Sequence, residues 1–250
     1  MILRRITQHV KEQNWFAVVL DLLIVILGVF LGIQIGNWNE DRLDEIAYQK
    51  AHDRMILETR SNLQSAQNLL DLTSPVLDNF TLATNDLRDC HDNEEAQARI
   101  SHAIKLLNGT FSLRLDNRAI SELTTSQRLL ERQSSMRIEL YSGYDRKVNT
   151  VISWSEKVLD KMEHRSDGLH SFIGYGDITV SPITGQTEGR DLILTVDLSE
   201  ACKDAAFRKV FYDWESGHSY QVSLIQKFIE DSQTYLAELG EAPNNGEGEF

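Results

Sequence analysis

Three groups of residues in this chain are of types that carry chemistry. The first is an acid, Asp21, inside an otherwise uncharged apolar run from Trp15 to Gly36, WFAVVLDLLIVILGVFLGIQIG. An ionisable group in such a setting can carry a proton or hold a polar partner. The second is the cysteine pair, Cys90 and Cys202, the only two in the chain. In an oxidising compartment they are free to bridge, closing a loop of about 110 residues, or they stand as two buried thiols. The third is a scatter of metal-type side chains. Cys90, His91 and Asp92 with Glu94 and Glu95 form one run, and His164, Asp167 and His170 another. The first run reads as a solvated acidic turn. The second belongs to a helix end and a loop, where cations are favoured by the helix dipole. Neither run has the spacing of a metal site or a triad.

No phosphate-cradling glycine loop, dinucleotide fingerprint, HExxH, paired CxxC or GxSxG is present. The expectation is therefore a protein that is not an enzyme, with no catalytic residues, no metal and no cofactor.

The element that must position Asp21 is a helix. At 1.5 Å per residue the 15–36 run is roughly 33 Å long, enough for a hydrocarbon core of about 30 Å. One acid costs about 2.5–3.5 kcal/mol on insertion scales, and the many Leu, Ile, Val and Phe residues outweigh it at about 0.3–0.6 each. The run is too long for a signal-peptide core, and GIQIGNW lacks the small residues of a cleavage site. Gly28, Gly32 and Gly36 are spaced four apart and form a groove on one face, a surface suited to close helix packing. Asp21 and Val25 share that face, and Gln34 is a second polar side chain in the span. Trp15 and Trp38 stand at its two ends as interfacial anchors.

Charge sets the orientation and excludes some partners. Arg4, Arg5 and Lys11 precede the span, and Glu40, Asp41, Asp44 and Glu45 follow it. The positive-inside rule puts the N-terminus in the cytoplasm. Of 25 bases and 38 acids, the first 36 residues hold three and two, so the remainder carries 22 bases against 36 acids. Such a surface repels phosphate backbones, so no nucleic acid is expected as a partner.

The fold expected is mainly α. One N-terminal transmembrane helix continues into an extracytoplasmic helical bundle, with a small loop or β-hairpin insert near 168–198. The divisions are a cytoplasmic lead over 1–14, the span over 15–36, a helical domain over 37–239 and a disordered tail over 240–250. The stretch after Asn37 has no Gly or Pro until Pro75, and Leu43, Ala47, Ala51, Ile56, Leu63, Ala66 and Leu70 mark its apolar stripe. Ser74-Pro75 predicts an end or a kink. Helices follow over 75–87, 94–107 and 120–130. In 136–162 the spacing of Tyr141, Tyr144, Val148, Val151, Ser155, Val158 and Met162 reads as a bundle seam. A hairpin is expected to pair ITV (178–180) with LILTV (192–196), and a last helix covers 204–239 with a possible break at Gly217.

The span and its exit, LDLLIVILGVFLGIQIGNWNED, resemble the start of a family of uncharacterised bacterial single-span proteins. Asp21 stands where that family usually has Glu, and Gly28 matches its glycine. Gln34, Asn37, Trp38, Asn39 and Glu40 match its Ile-Gln-Ile-Asn-Asn-Trp-Asn-Glu exit, with Gly36 in place of an Asn. In 126–144, Leu129, Arg137, Leu140 and Tyr144 resemble a second pattern of the family, with Gln127 where Gly is usual. The resemblance implies a bacterial inner-membrane protein with a helical periplasmic domain, and no activity. The string VLDLLIVIL is also similar to the single-span stator subunits of the Ton, Tol and flagellar motor systems, which carry an early membrane acid.

Two functions follow. The first is a single-pass scaffold or sensing module that associates, through its glycine face, with itself or with another membrane protein, and engages a further partner outside the membrane. The alternative is a stator-like subunit of a proton-driven complex using Asp21.

Overall fold

The computed structural model describes residues 15–107, 109, 111–163, 169–180 and 187–241. The lead over 1–14, His164, Asp167 and residues 242–250 of the tail lie outside the described residues, as do the side chains of Trp15 and Asp21.

Helix α1 runs unbroken over Trp15–Asp89, 75 residues or about 112 Å at the usual rise. The helix does not end at Pro75, which lies inside α1. Pro removes one donor from the ladder, while side chains bond the neighbouring turns. Thr73 Oγ1 donates to the Leu69 carbonyl at 2.8 Å, and Asn79 Nδ2 donates to the Pro75 carbonyl at 3.0 Å. The helix ends at Cys90, whose φ is 52°, with the His91 N–H bonded to the Asp86 carbonyl at 3.0 Å. That is a Schellman ending with cysteine where glycine is usual.

Helix α2 spans Glu94–Leu106 and is capped by Asn93, whose side chain accepts from the Ala96 N–H. The single helix expected over 120–130 is two, α3 (Arg118–Thr125) and α4 (Gln127–Leu130), separated by Ser126 in an extended conformation. Helix α5 covers Ser135–Glu163. Strands β1 (Ile173–Val180) and β2 (Thr187–Leu194) form an antiparallel pair. Its register differs from the expected one. Ile173 faces Leu194, Tyr175 faces Leu192 and Ile178 faces Arg190, so the apolar run of β2 pairs with the start of β1 and not with its ITV end. The glycines of β1 lie close against the partner segment of the chain. A Cβ on Gly174 would lie 2.6 Å from Thr195 Cγ2, and one on Gly176 would lie 2.9 Å from Ile193 Cγ2. Branched side chains of the partner strand occupy that space.

Helix α6 (Leu198–Ala201) leads into α7 (Ala205–Glu238), capped by Asp204 on the Phe207 N–H. The helix passes through Gly217 without a break. At its end Gly240, with φ 82°, and the Glu241 N–H on the Leu236 carbonyl make a second Schellman ending. Residues 240 and 241, expected in the tail, are thus part of the folded domain.

Two cores are strung along α1. The proximal core, nearer the apolar run, joins Tyr48, Met55, Leu63 and Ala66 of α1 to Ile120 and Leu123 of α3, Tyr141 and Val148 of α5, and Phe228, Tyr235 and Leu236 of α7. The distal core joins Phe80 and Leu87 to Ile100 and Ile104 of α2, Ile173 and Leu192 of the hairpin, and Phe207, Phe211 and Trp214 of α7. Helices α1 and α7 pass through both, so they bind the two cores into one body.

Candidate functional site along the long helix

The cysteines are brought together. The Cys90 and Cys202 sulfurs are bonded, with Cα atoms 5.3 Å apart. The bond ties the end of α1 to the entry of α7 across the distal core. Beside it, Asp86 is buried and receives the Arg99 guanidinium at 2.7 Å and faces His91 at 3.1 Å. The Arg99 hydrogen bond holds its carboxyl below the usual carboxylate range. Asp92 accepts from Gln97 and Glu95 from Arg99, so two of the acids of this run are engaged in local bonds. His170 accepts from the Phe172 N–H and lies 3.6 Å from Asp204. Among the described residues no group of three or more His, Cys, Asp or Glu side chains is placed to hold a metal ion.

A polar cluster lies in the proximal core. Arg137 donates to both Tyr48 Oη (3.2 Å) and Tyr141 Oη (3.0 Å), and the two phenols are 3.2 Å apart. His52 is set beside both rings. Its Nε2 is buried and has no hydrogen-bond partner among the described residues. Burial, then the nearby Arg137 charge, lowers its pKa. Burial also raises Tyr141 well above its ordinary value. Nearer the apolar run, Arg128 and Arg132 bond Asp44 and Asp41, fastening α4 and the turn after it to α1 just beyond Trp38.

The glycine stripe has a defined direction relative to this body. At 3.6 residues per turn, Gly28, Gly32 and Gly36 fall within an arc of about 80° on α1, and Leu43, Ile46, Leu57, Leu72 and Leu82 fall within the same arc. All five of these large apolar side chains are exposed, Leu43 by 51% and Leu57 by 64%. The buried residues Tyr48, Met55, Thr59, Asn62 and Ala66 lie on the opposite side. Ion pairs mark the two borders of the free arc, Arg54 with Glu122 at 2.6 Å and Arg60 with Glu241 at 2.6 Å. No side chain comes within 4 Å of a Cβ built on any of the three glycines.

Two corrections concern the stripe read from sequence. Leu43, counted there in the apolar stripe, is exposed, and Tyr48 and Met55, left out of it, carry the packing beside Ala51. The outward apolar arc is hard to read from composition because Leu57, Leu72 and Leu82 stand beside buried or half-buried apolar neighbours such as Ile56, Leu70 and Ala83. The signal was nonetheless present in their shared angle with the glycines. Val25 is exposed on the glycine arc, while Gln34 lies on the other side of α1 and Trp38 is exposed just beyond the apolar run.

Among the described residues one helix is long and apolar enough to cross a membrane. The chain matches no protein-family model, no curated protein and no solved structure. Functional inference therefore rests on α1 and what it carries.

Proposed function

We propose that the protein is a single-pass, membrane-anchored scaffold that holds a two-core helical body outside the bacterial inner membrane, N-terminus in the cytoplasm. The reading is non-enzymatic. The observation that carries it is the continuity of α1, which supplies the apolar run and one wall of both cores as one unbroken helix through Pro75. A helix that is both anchor and core wall fixes the height and the direction of the body above the bilayer. By the usual rise, Leu87 in the distal core stands about 75 Å beyond Gly36. Partners are held at that height, and the glycine groove supplies association within the membrane. Basic residues before the span and acids after it support the orientation.

The test is association in membranes. The Gly28→Leu, Gly32→Leu double variant should weaken it in a membrane two-hybrid assay, and undiminished association would overturn the packing role of the glycines.

A second reading, the stator-like proton role, is favoured by one observation. By helical register position 21 shares the arc of the glycines. That reading requires Asp21→Asn to abolish function while the complex still assembles. Retained function would rule it out.

A further inference from the structure

From the outward arc of α1 we infer that the partner of the glycine face is a second copy of this chain, in a parallel two-fold pair whose contact continues beyond the span onto Leu43, Ile46 and Leu57. The inference rests on the reading of α1 as a membrane span, since two copies inserted in one orientation must pair in parallel.

Spacing is the first argument. Gly36, Asn39, Leu43, Ile46, Lys50, Asp53 and Leu57 alternate at three and four residues, the repeat by which two helices keep one seam in register. These residues face away from the body, and Leu43, Ile46 and Leu57 are exposed. In a chain that has built two cores on the opposite side, this second apolar repeat has no intramolecular partner to serve.

Charge is the second. Between Gly28 and Asn68 the arc carries a single acid, Asp53, although the chain beyond residue 36 has 36 of them. Lys50 makes no ion pair among the described residues, and Asp53 is 76% exposed, with only His52 near it at 3.8 Å. A cation and an acid one turn apart on one patch are self-complementary. In a parallel two-fold pair Lys50 of each copy reaches Asp53 of the other, and the relation occurs twice. The bordering Arg54 and Arg60 are already neutralised by Glu122 and Glu241, so the rims do not repel across the axis.

Shape is the third. Helices α3, α5 and α7 all pack on the far side of α1, so two copies meet helix to helix with their bodies pointing apart. The missing side chains of Gly28, Gly32 and Gly36 allow the close approach inside the membrane, and the leucines extend it by about 30 Å outside.

Cross-linking of the full chain in its own membranes decides the matter. Cys90 and Cys202 are bonded to each other, so one added thiol reports alone. Leu43→Cys and Leu57→Cys should each give a covalent dimer on mild oxidation, and Glu45→Cys, exposed on another side of α1, should not. Lys50→Asp should lower the cross-linked fraction of Leu57→Cys about threefold, and Lys50→Asp with Asp53→Lys should restore it. Absence of dimer at both leucine positions, equal dimer at Glu45→Cys, or an adduct whose mass shows a different protein would each overturn the inference. Alkaline carbonate extraction of the same membranes separates the two readings. A chain that stays in the membrane without cross-linking refutes the pairing alone, and a chain released by carbonate refutes the anchor.

Discussion

The carboxamide of Asn62 on α1 holds the backbone of Asp116 by both of its polar groups. Its Nδ2 donates to the Asp116 carbonyl at 2.6 Å, and its Oδ1 accepts from the Asp116 N–H at 2.9 Å. Asn62 is buried, and the irregular segment 111–117 that it grips leads directly into α3. A few residues further on, Glu58 accepts from the Ala119 and Ile120 N–H groups at 2.9 and 3.3 Å, satisfying donors that the start of α3 leaves free. Leucine at position 62 would leave two partly buried backbone groups unpaired, at about 1–3 kcal/mol each. Asn62→Leu should therefore lower stability by about 2–4 kcal/mol. Denaturant titration of the detergent-solubilised protein would check it, and a change below about 0.5 kcal/mol would show that water replaces the grip.

The Cys90–Cys202 bond spans 112 residues of chain and joins both ends of the distal core. Closure of a loop that long is worth about 4–5 kcal/mol in the chain-entropy model. The Cys90→Ser, Cys202→Ser pair should destabilise the distal core more than the proximal one. Hydrogen exchange would read this as lost protection in α2 and the first half of α7, with the segment around Met55 and Tyr235 largely kept. Alkylation of both cysteines without reductant in protein taken from the membrane would contradict the bond.

Histidine 52 gives the body a pH dependence of definite sign. Its folded pKa lies below the ordinary 6.5, chiefly because burial disfavours the charged ring, with Arg137 adding to the effect. The unfolded chain therefore takes up a proton that the folded chain refuses. Stability contributed by this residue is complete above the unfolded value and falls as pH drops from about 6.5 towards the lower folded value. His52→Phe should remove that dependence. The melting temperature of the variant relative to the parent should rise as pH goes from about 7 to about 5. A difference independent of pH would show that the ring is solvated.

Much of this arrangement was legible in the residues. The apolar run with its glycines, the long helices and the presence of a hairpin each rest on local periodicity or composition. What was not legible depends on tertiary context. Pro75 is a strong local stop signal, yet the helix packs on both sides of it, through Ala66 in one core and Phe80 in the other, and that packing outweighs one lost hydrogen bond. Ser126 breaks a stretch of helical composition because α4 turns back to bring Arg128 and Arg132 to the acids at 41 and 44. The hairpin register follows Ile173, Leu192 and Leu194, which reach the distal core, and not the β-branched run at 178–180. The outward arc of α1 is not legible from residue type, because an apolar side chain on a helix suits a core and an open face alike. Leu43 shows the difference, since its type suits either a core or an unfilled interface and only its exposure tells them apart.

The central claim is that α1 crosses the bilayer once and carries the whole body to the far side. Paired topology reporters fused after Glu241, one active only outside the cytoplasm and one fluorescent only within it, measure this most directly. The account predicts that the external reporter is active and the internal one dark, with the fusion retained in the membrane. A fluorescent internal reporter with an inactive external one would contradict it.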